Sequence, residues 1–326
     1  MNKEPNYEFH KNVLTNFLPE IKRYEPVVIS HSSMDAWKKC NRLFLLSVIM
    51  GFRSRGKSPV FGWGIAYHLF REGLEKYYGF GVDTPNNYDS EKAREAFIKA
   101  ATQATKYFML NVGDQPVGTM FEYMTMARFQ ESMKFAFDRW KIEKQTGRIN
   151  VVAVEQLLTV EVVPGIYTSA RIDQLVEVGT RSWGKDFKTT KKSLDFYENG
   201  VTPNDQFTRQ TYIESKLTGK VDGVLVDVLF NSKDTKTRKN GPEIRVFPAS
   251  RTDYDLRDWE KDELMQREFM QISREKDHYP KNETYCRYCQ FRTVCSRASD
   301  NAQLTELKSK FEISHFDNSQ SDFMEE

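Results

Sequence analysis

The first half of the chain repeats its apolar residues at helical spacing and the second half alternates them, a pattern that predicts helices followed by a sheet. Ser32 or Ser33 can cap a helix carrying Trp37, Cys40, Leu43, Phe44 and Ile49. Residues 61–78 set Ile65, Leu69, Phe70 and Leu74 near one face. Residues 89–110 and 119–145 predict two further amphipathic helices, with Pro116 and Gly118 marking the break between them. At residue 151 the period changes. Residues 151–163, 166–178, 182–188 and 221–230 are rich in β-branched residues and read as strands, with a helix expected over 205–217. Residues 233–242 are a charged loop with an Asn240-Gly241 turn, leading to a short strand at 244–247. A helix over 255–276 precedes a cysteine-rich segment. The implied fold class is α/β, a mixed central sheet flanked by helices, with residues 1–29 as an N-terminal extension and 298–326 as an acidic flexible tail.

Composition narrows the picture. The 326 residues are 39% apolar and 13% aromatic, enough for a proper core and against a disordered chain. The net charge is +2, but residues 300–326 hold seven acids and two bases, so the body is mildly basic. The longest apolar run, residues 43–52, includes a serine and is too short to span a bilayer. The polar N-terminus shows no secretory signal, so a cytoplasmic location is expected. Four cysteines are too few for a disulfide scaffold, and their spacing predicts a metal site in a reducing compartment instead.

The sharpest feature is a hairpin. Residues 166–178 and 182–188 meet at Gly179-Thr180, which suits a two-residue type II′ turn with glycine first. Counting back from that turn sets Asp173 opposite Asp186 on one face, their Cβ atoms ~4.5–5.5 Å apart. Two unpaired carboxylates there repel, and a cation between them is the natural compensation. Lys188 follows Asp186 by two residues and shares its face, while Ile172, Val176, Trp183 and Phe187 take the other parity and can face the core. An aspartate pair gripping a hard divalent ion beside a lysine is equipment for phosphodiester hydrolysis. The ion acidifies a water and neutralises phosphate charge, and the lysine orients the water or stabilises the developing oxyanion. A bulge at Gly184 would break this pairing.

Two other motifs carry chemistry. Cys286-x2-Cys289-x5-Cys295, with Cys40 far upstream, leaves zinc and an iron–sulfur cluster both open on spacing alone. Gly51–Ser58 formally matches the phosphate loop G-x-x-x-x-G-K-S, and 224–227 could pose as its magnesium-binding strand. That loop needs a strand before it, whereas residues 35–50 read as a helix. Arg53, Arg55 and Lys57 read better as a basic loop touching nucleic-acid phosphates. Lys38, Lys39, Arg42, Lys191 and Lys192 are further candidates for such contacts, and Phe61, Trp63 and Tyr67 for base stacking.

These residues resemble a known family. Ala170-Arg171-Ile172-Asp173 followed by Lys185-Asp186-Phe187-Lys188-Thr189-Thr190 is similar to the core of the PD-(D/E)XK nucleases, specifically their RecB-like branch. Gly64-Ile65-Ala66-Tyr67-His68 resembles that branch's G-x-x-x-H helix. Gln206-Phe207-Thr208-Arg209-Gln210-Thr211-Tyr212 resembles its Q-x-x-x-Y helix at an altered offset, with Gln206 and Gln210 both open as the glutamine. The resemblance implies a restriction-endonuclease-like domain over 30–297, comprising a helical part (30–148), a catalytic sheet (149–250) and a C-terminal helix with the cysteine cluster (251–297). It also implies one or two Mg²⁺ or Mn²⁺ ions held by His68, Asp173, Asp186 and the Phe187 carbonyl. Lys188 would be catalytic, with Gln206, Gln210 and Tyr212 beside it.

Residues 30–49 resemble the S-x-S…C-x-R-x-F segment of AddB-type and CRISPR-adaptation nucleases. In those proteins one early and three late cysteines hold a [4Fe–4S] cluster. Cys40, Cys286, Cys289 and Cys295 would be the equivalent ligands, forming a C-terminal Fe–S clasp, with zinc the lesser alternative. The implied activity is a Mg/Mn-dependent exonuclease on single-stranded DNA or duplex ends, with DNA repair, recombination, phage DNA processing and CRISPR adaptation all open as its setting. A helicase or a recombination or adaptation protein is the expected partner. Two alternatives remain: a non-catalytic DNA-binding or assembly subunit with a nuclease-like core, and a P-loop NTPase.

Overall fold

The structure is a computed structural model describing residues 28–55, 58–80, 88–116, 121–191, 194–231, 241–297 and 299–314. Its elements begin with β1 (Val28–Ser30), α1 (His31–Lys39), α2 (Asn41–Phe44), β2 (Phe52–Ser54), α3 (Pro59–Tyr78), α4 (Ser90–Asn111) and α5 (Met126–Thr146). They continue with β3 (Asn150–Val163), β4 (Ile166–Val178), β5 (Arg181–Thr190), α6 (Leu194–Gly200), α7 (Asp205–Thr218), β6 (Gly223–Phe230) and β7 (Glu243–Ser250). The chain closes with α8 (Asp253–Glu275), α9 (Arg292–Cys295), α10 (Asp300–Lys310) and β8 (Phe311–Ile313). The chain divides into two compact units. One is drawn from the N-terminal stretch to Gly56, Glu161–Ser169 and Asp258 onward; the other is Lys57–Val160 with Ala170–Arg257.

The second unit holds a mixed sheet flanked by helices. β4 and β5 are antiparallel, β5 and β6 parallel, and β6 and β7 antiparallel, while β3 pairs with β4. Gly179 has φ 64°, the left-handed value that the first position of a type II′ turn requires. The turn sets the expected register: Val178 faces Arg181, and the pairing runs back through Leu175–Gly184 to Gln174–Lys185 without a bulge at Gly184. Apart from Asp227, β6 is apolar on both sides because both are covered. Leu229 packs with Trp63, Tyr67, Phe70 and the aromatic residues of α4 and α5. Val224, Val226 and Val228 pack with Phe207 of α7. Trp63 and Tyr67 are thus core residues rather than base-stacking ones, and only Phe61, 75% exposed, is free for such a role.

In the first unit β1 pairs in parallel with Tyr167, Thr168 and Ser169. Ser30, not Ser32 or Ser33, caps α1: its hydroxyl accepts the Ser33 N–H at 3.3 Å, because the helix starts one residue after it. The helix expected to run through Cys40 breaks there. Cys40 is extended (φ −168°, ψ 121°), and the chain restarts as α2 and a π-turn at Leu45–Ile49. The expected flexible tail is corrected over residues 299–314. Ser299 caps α10, and β8 pairs antiparallel with β2, setting Phe311 against Ser54 and on Phe291 at 4.6 Å between ring centroids. The charged composition of this segment concealed two buried anchors, Leu307 and Phe311. The Asn240 turn, Lys57, Lys192 and residues 315–326 lie outside the described residues.

Candidate active site

The register that aligns Gln174 with Lys185 makes Asp173 and Asp186 the next residues in line, and there the backbone ladder gives way to side chains. The Phe187 N–H donates to Asp173 Oδ2 at 2.7 Å. His68, projecting from α3, sets Nδ1 3.3 Å from the same oxygen. Lys188 Nζ lies 2.6 Å from Asp186 Oδ2. The other Asp186 oxygen accepts two amides from α7, Gln206 Nε2 at 3.0 Å and Gln210 Nε2 at 3.3 Å. Gln206 and Gln210 stand one turn apart on one helix face, so both reach the carboxylate.

Electrostatics divide the two aspartates. Burial works against Asp173, but His68, Lys188 and the Phe187 N–H hold its carboxyl below the usual range. Burial, with Asp173 alongside, pushes Asp186 above that range despite Lys188. Burial also opposes charge on His68 and Lys188, yet the two aspartates keep both above their ordinary values. Lys188 is therefore held as an ammonium that donates to Asp186.

A glutamate absent from the sequence reading joins this group. His68, Glu155 and Asp173 each offer a ligand atom, all within 4.8 Å of one another. Glu155 has φ 46°, a left-handed value costing a non-glycine residue ~1–2 kcal/mol, and the strict alternation of β3 breaks around it. Such irregularities re-aim side chains beside functional sites. Burial, then Asp173 and Glu72, push its carboxyl up to about 8. Only a periodicity defect within residues 153–157 could have signalled this in the sequence. Carboxylate oxygens and an imidazole are donors suited to a hard divalent ion, so the residues present fit Mg²⁺ or Mn²⁺.

With this geometry in place, one comparison decides the family: the model of the PD-(D/E)XK nuclease superfamily matches residues 28–296. The chain belongs to the PD-(D/E)XK nuclease superfamily. It is also similar to the crystal structure of a "Putative exonuclease" from Eubacterium rectale, at 12% identity and a TM-score of 0.44, covering 91% of this chain and 95% of that one. No curated protein matches the sequence. No described helix is long and apolar enough to cross a membrane.

Other expected site residues fare differently in this superfamily member. Tyr212 is buried under Lys216, whose Nζ sits 5.1 Å from the ring centroid. It lies two residues past Gln210, ~200° around the helix. Glu214, four residues past Gln210, is buried with both oxygens lacking a hydrogen bond, and burial and Asp186 push it well above the usual range. Tyr197 of α6 is electrostatically linked to Lys188. In the segment that matches a phosphate loop, β2 occupies residues 52–54, and Gly56 and Lys57 lie outside the described residues. Asp227, its would-be magnesium ligand, is buried beside Lys185 and Arg71. Arg55, expected on DNA, donates to the carbonyls of Lys308 and Phe311.

In the first unit Cys40, Cys286, Cys289 and Cys295 line one small pocket, together with Arg42 and Lys281. None of the four is in a disulfide. The Asn282 N–H donates to Cys40 Sγ at 3.4 Å. Burial pushes the Cys289 and Cys295 thiols up, and Arg42 and Lys281 oppose this at Cys295.

Proposed function

We propose that the protein is a Mg²⁺- or Mn²⁺-dependent deoxyribonuclease, acting as an exonuclease on single-stranded or end-exposed DNA. The observation that carries this reading is that the buried Asp173 and Asp186 meet the partly exposed His68 and Lys188 through short contacts. His68, Glu155, Asp173, Asp186 and the Phe187 carbonyl would hold the ion. A divalent ion bound there acidifies a water and neutralises phosphate charge. The chain's own residues do the rest. Gln206 and Gln210 fix one oxygen of Asp186, and the Phe187 N–H fixes one of Asp173. Lys188 keeps a proton beside Asp186, where its charge can orient a water or stabilise the developing phosphate oxyanion. The exonuclease assignment follows the RecB-like resemblance, as does dependence on a helicase or recombination partner for unwinding. End-labelled linear and circular DNA incubated with each metal tests the reading. Shortening of linear substrates alone supports it, and cutting of circles assigns endonuclease activity instead.

The four cysteines we assign to a [4Fe–4S] cluster. Zinc and a [4Fe–4S] cluster can each take four thiolates, and the resemblance to AddB-type and CRISPR-adaptation nucleases favours the cluster. The N–H donor on Cys40 and the flanking Arg42 and Lys281 suit an anionic thiolate cluster. Anaerobically purified protein should be brown and bleach on reduction. Colourless protein with stoichiometric zinc refutes the assignment.

A further inference from the structure

We propose that Arg71, Glu143, Lys185 and Asp227 form a positioning network that sets where His68 stands against the catalytic strand; the proposal rests on the metal-site reading above. Side chains alternate along β5, so Lys185 and Phe187 point to the side opposite Asp186 and Lys188. That side is a packed aromatic core, yet it contains Lys185, 1% exposed, and Asp227 and Arg71, both 0% exposed. Lys185 Nζ lies 3.0 Å from Glu143 Oε2 and 3.5 Å from Asp227 Oδ2. Arg71 Nη2 is 3.8 Å from that same Asp227 oxygen. The parallel register sets Asp227 beside Phe187, and the Arg71 guanidinium rests 4.3 Å from the Phe187 ring centroid.

These charges are a poor source of stability. The ion pairs of Asp227 are longer than hydrogen bonds, and replacing a buried ion pair with apolar groups is commonly neutral or stabilising. What charge supplies is register: an apolar contact tolerates sliding, whereas an ion pair is satisfied in one place. The register at stake is that of α3. Arg71 lies one turn beyond His68 on that helix, and Phe187, on which it stacks, donates its N–H to the aspartate that His68 approaches. A shift of α3 by one residue moves His68 ~1.5 Å along the axis, more than a ligand distance tolerates. Glu75, one turn further on, fastens the same helix to α5 through Lys144 at 2.8 Å and Trp140 Nε1 at 2.9 Å.

The test exchanges the four charges together, as Arg71→Met, Glu143→Met, Lys185→Met and Asp227→Leu. Thermal unfolding and Mn²⁺ affinity are measured, with the histidine-nitrogen coupling to bound Mn²⁺ read by electron spin-echo spectroscopy. The expected result is an unchanged or raised unfolding midpoint, with Mn²⁺ affinity lowered about 10–100-fold and the histidine coupling lost. Arg71→Lys keeps the charge but not the planar stack, so it should weaken Mn²⁺ binding and the coupling while the protein stays folded. That single variant carries the test alone if the fourfold one does not fold. Native Mn²⁺ affinity and coupling in Arg71→Lys and in a folded fourfold variant overturn the proposal. A wild-type protein that binds no Mn²⁺ defeats the metal-site reading and this network with it. Wild-type binding through His68 beside undisturbed variants defeats the network alone.

Discussion

Asp173 and Phe187 are fastened to each other by a hydrogen bond in which the Phe187 N–H donates to Asp173 Oδ2 at 2.7 Å. The bond falls just past the last backbone pairing of β4 with β5, so a carboxylate takes over the role of a strand carbonyl. The same oxygen lies 3.3 Å from His68 Nδ1, which gives Asp173 a structural duty and, in the proposed metal site, a ligand duty together.

The two duties separate on mutation. Asp173→Asn keeps an oxygen acceptor for Phe187 but loses the charge, so it should fold normally and bind Mn²⁺ poorly. Asp173→Ala leaves a buried N–H without its acceptor and should also lose ~1–3 kcal/mol of stability. Urea denaturation and Mn²⁺ titration of both variants check this.

Glu155 holds a left-handed backbone position in order to face His68 and Asp173. Glu155→Gln removes one anionic ligand and should weaken Mn²⁺ binding by ~10-fold or more. It also removes a carboxyl whose ionisation burial, Asp173 and Glu72 oppose, so the metal-free variant should be at least as stable as the wild type. Calorimetric Mn²⁺ titration and thermal unfolding provide the two readouts.

Gly184 is required for space, not for backbone freedom. A Cβ built there would lie 2.6 Å from Glu214 Oε1 and 2.8 Å from Oε2. Gly184→Ala should therefore destabilise by ~1–3 kcal/mol, and Glu214→Ala in the same chain should recover most of it. A double-mutant cycle by denaturant unfolding measures the coupling.

Much of the site was legible because a tight turn converts residue counting into geometry. Gly179 fixes the register, and the register brings Asp173, Asp186 and Lys188 together. Gln206 and Gln210 were ambiguous as alternatives, and helical spacing brings both to Asp186. Glu155 was hidden because alternation arguments fail where a strand is irregular. Lys185 was hidden for another reason. Both sides of β5 are covered, so a charged residue at an inward position reads as a solvated one until Glu143 and Asp227 are seen. Residues 299–314 looked like an acidic tail because composition gives no weight to two anchors, Leu307 and Phe311.

Glu143 carries a pH signature. Burial opposes its ionisation, but Lys185, Arg71 and Arg139 hold its carboxyl down to about 2, from an ordinary 4.5. A depressed folded value means the contribution is present above pH 4.5 and lost as pH falls from there towards 2. Its size is on the order of 1–3 kcal/mol. Glu143→Gln should flatten this part of the acid-unfolding curve, seen by comparing midpoints across that window.

The most direct measurement is degradation of end-labelled linear DNA by the wild type and by Asp186→Ala, with Mg²⁺, Mn²⁺ or a chelator, alongside circular dichroism of both proteins. The expected result is shortening that requires the metal and disappears in Asp186→Ala while the two spectra coincide. Undiminished cleavage by Asp186→Ala, or cleavage by the wild type in the presence of chelator, contradicts the assignment of the site.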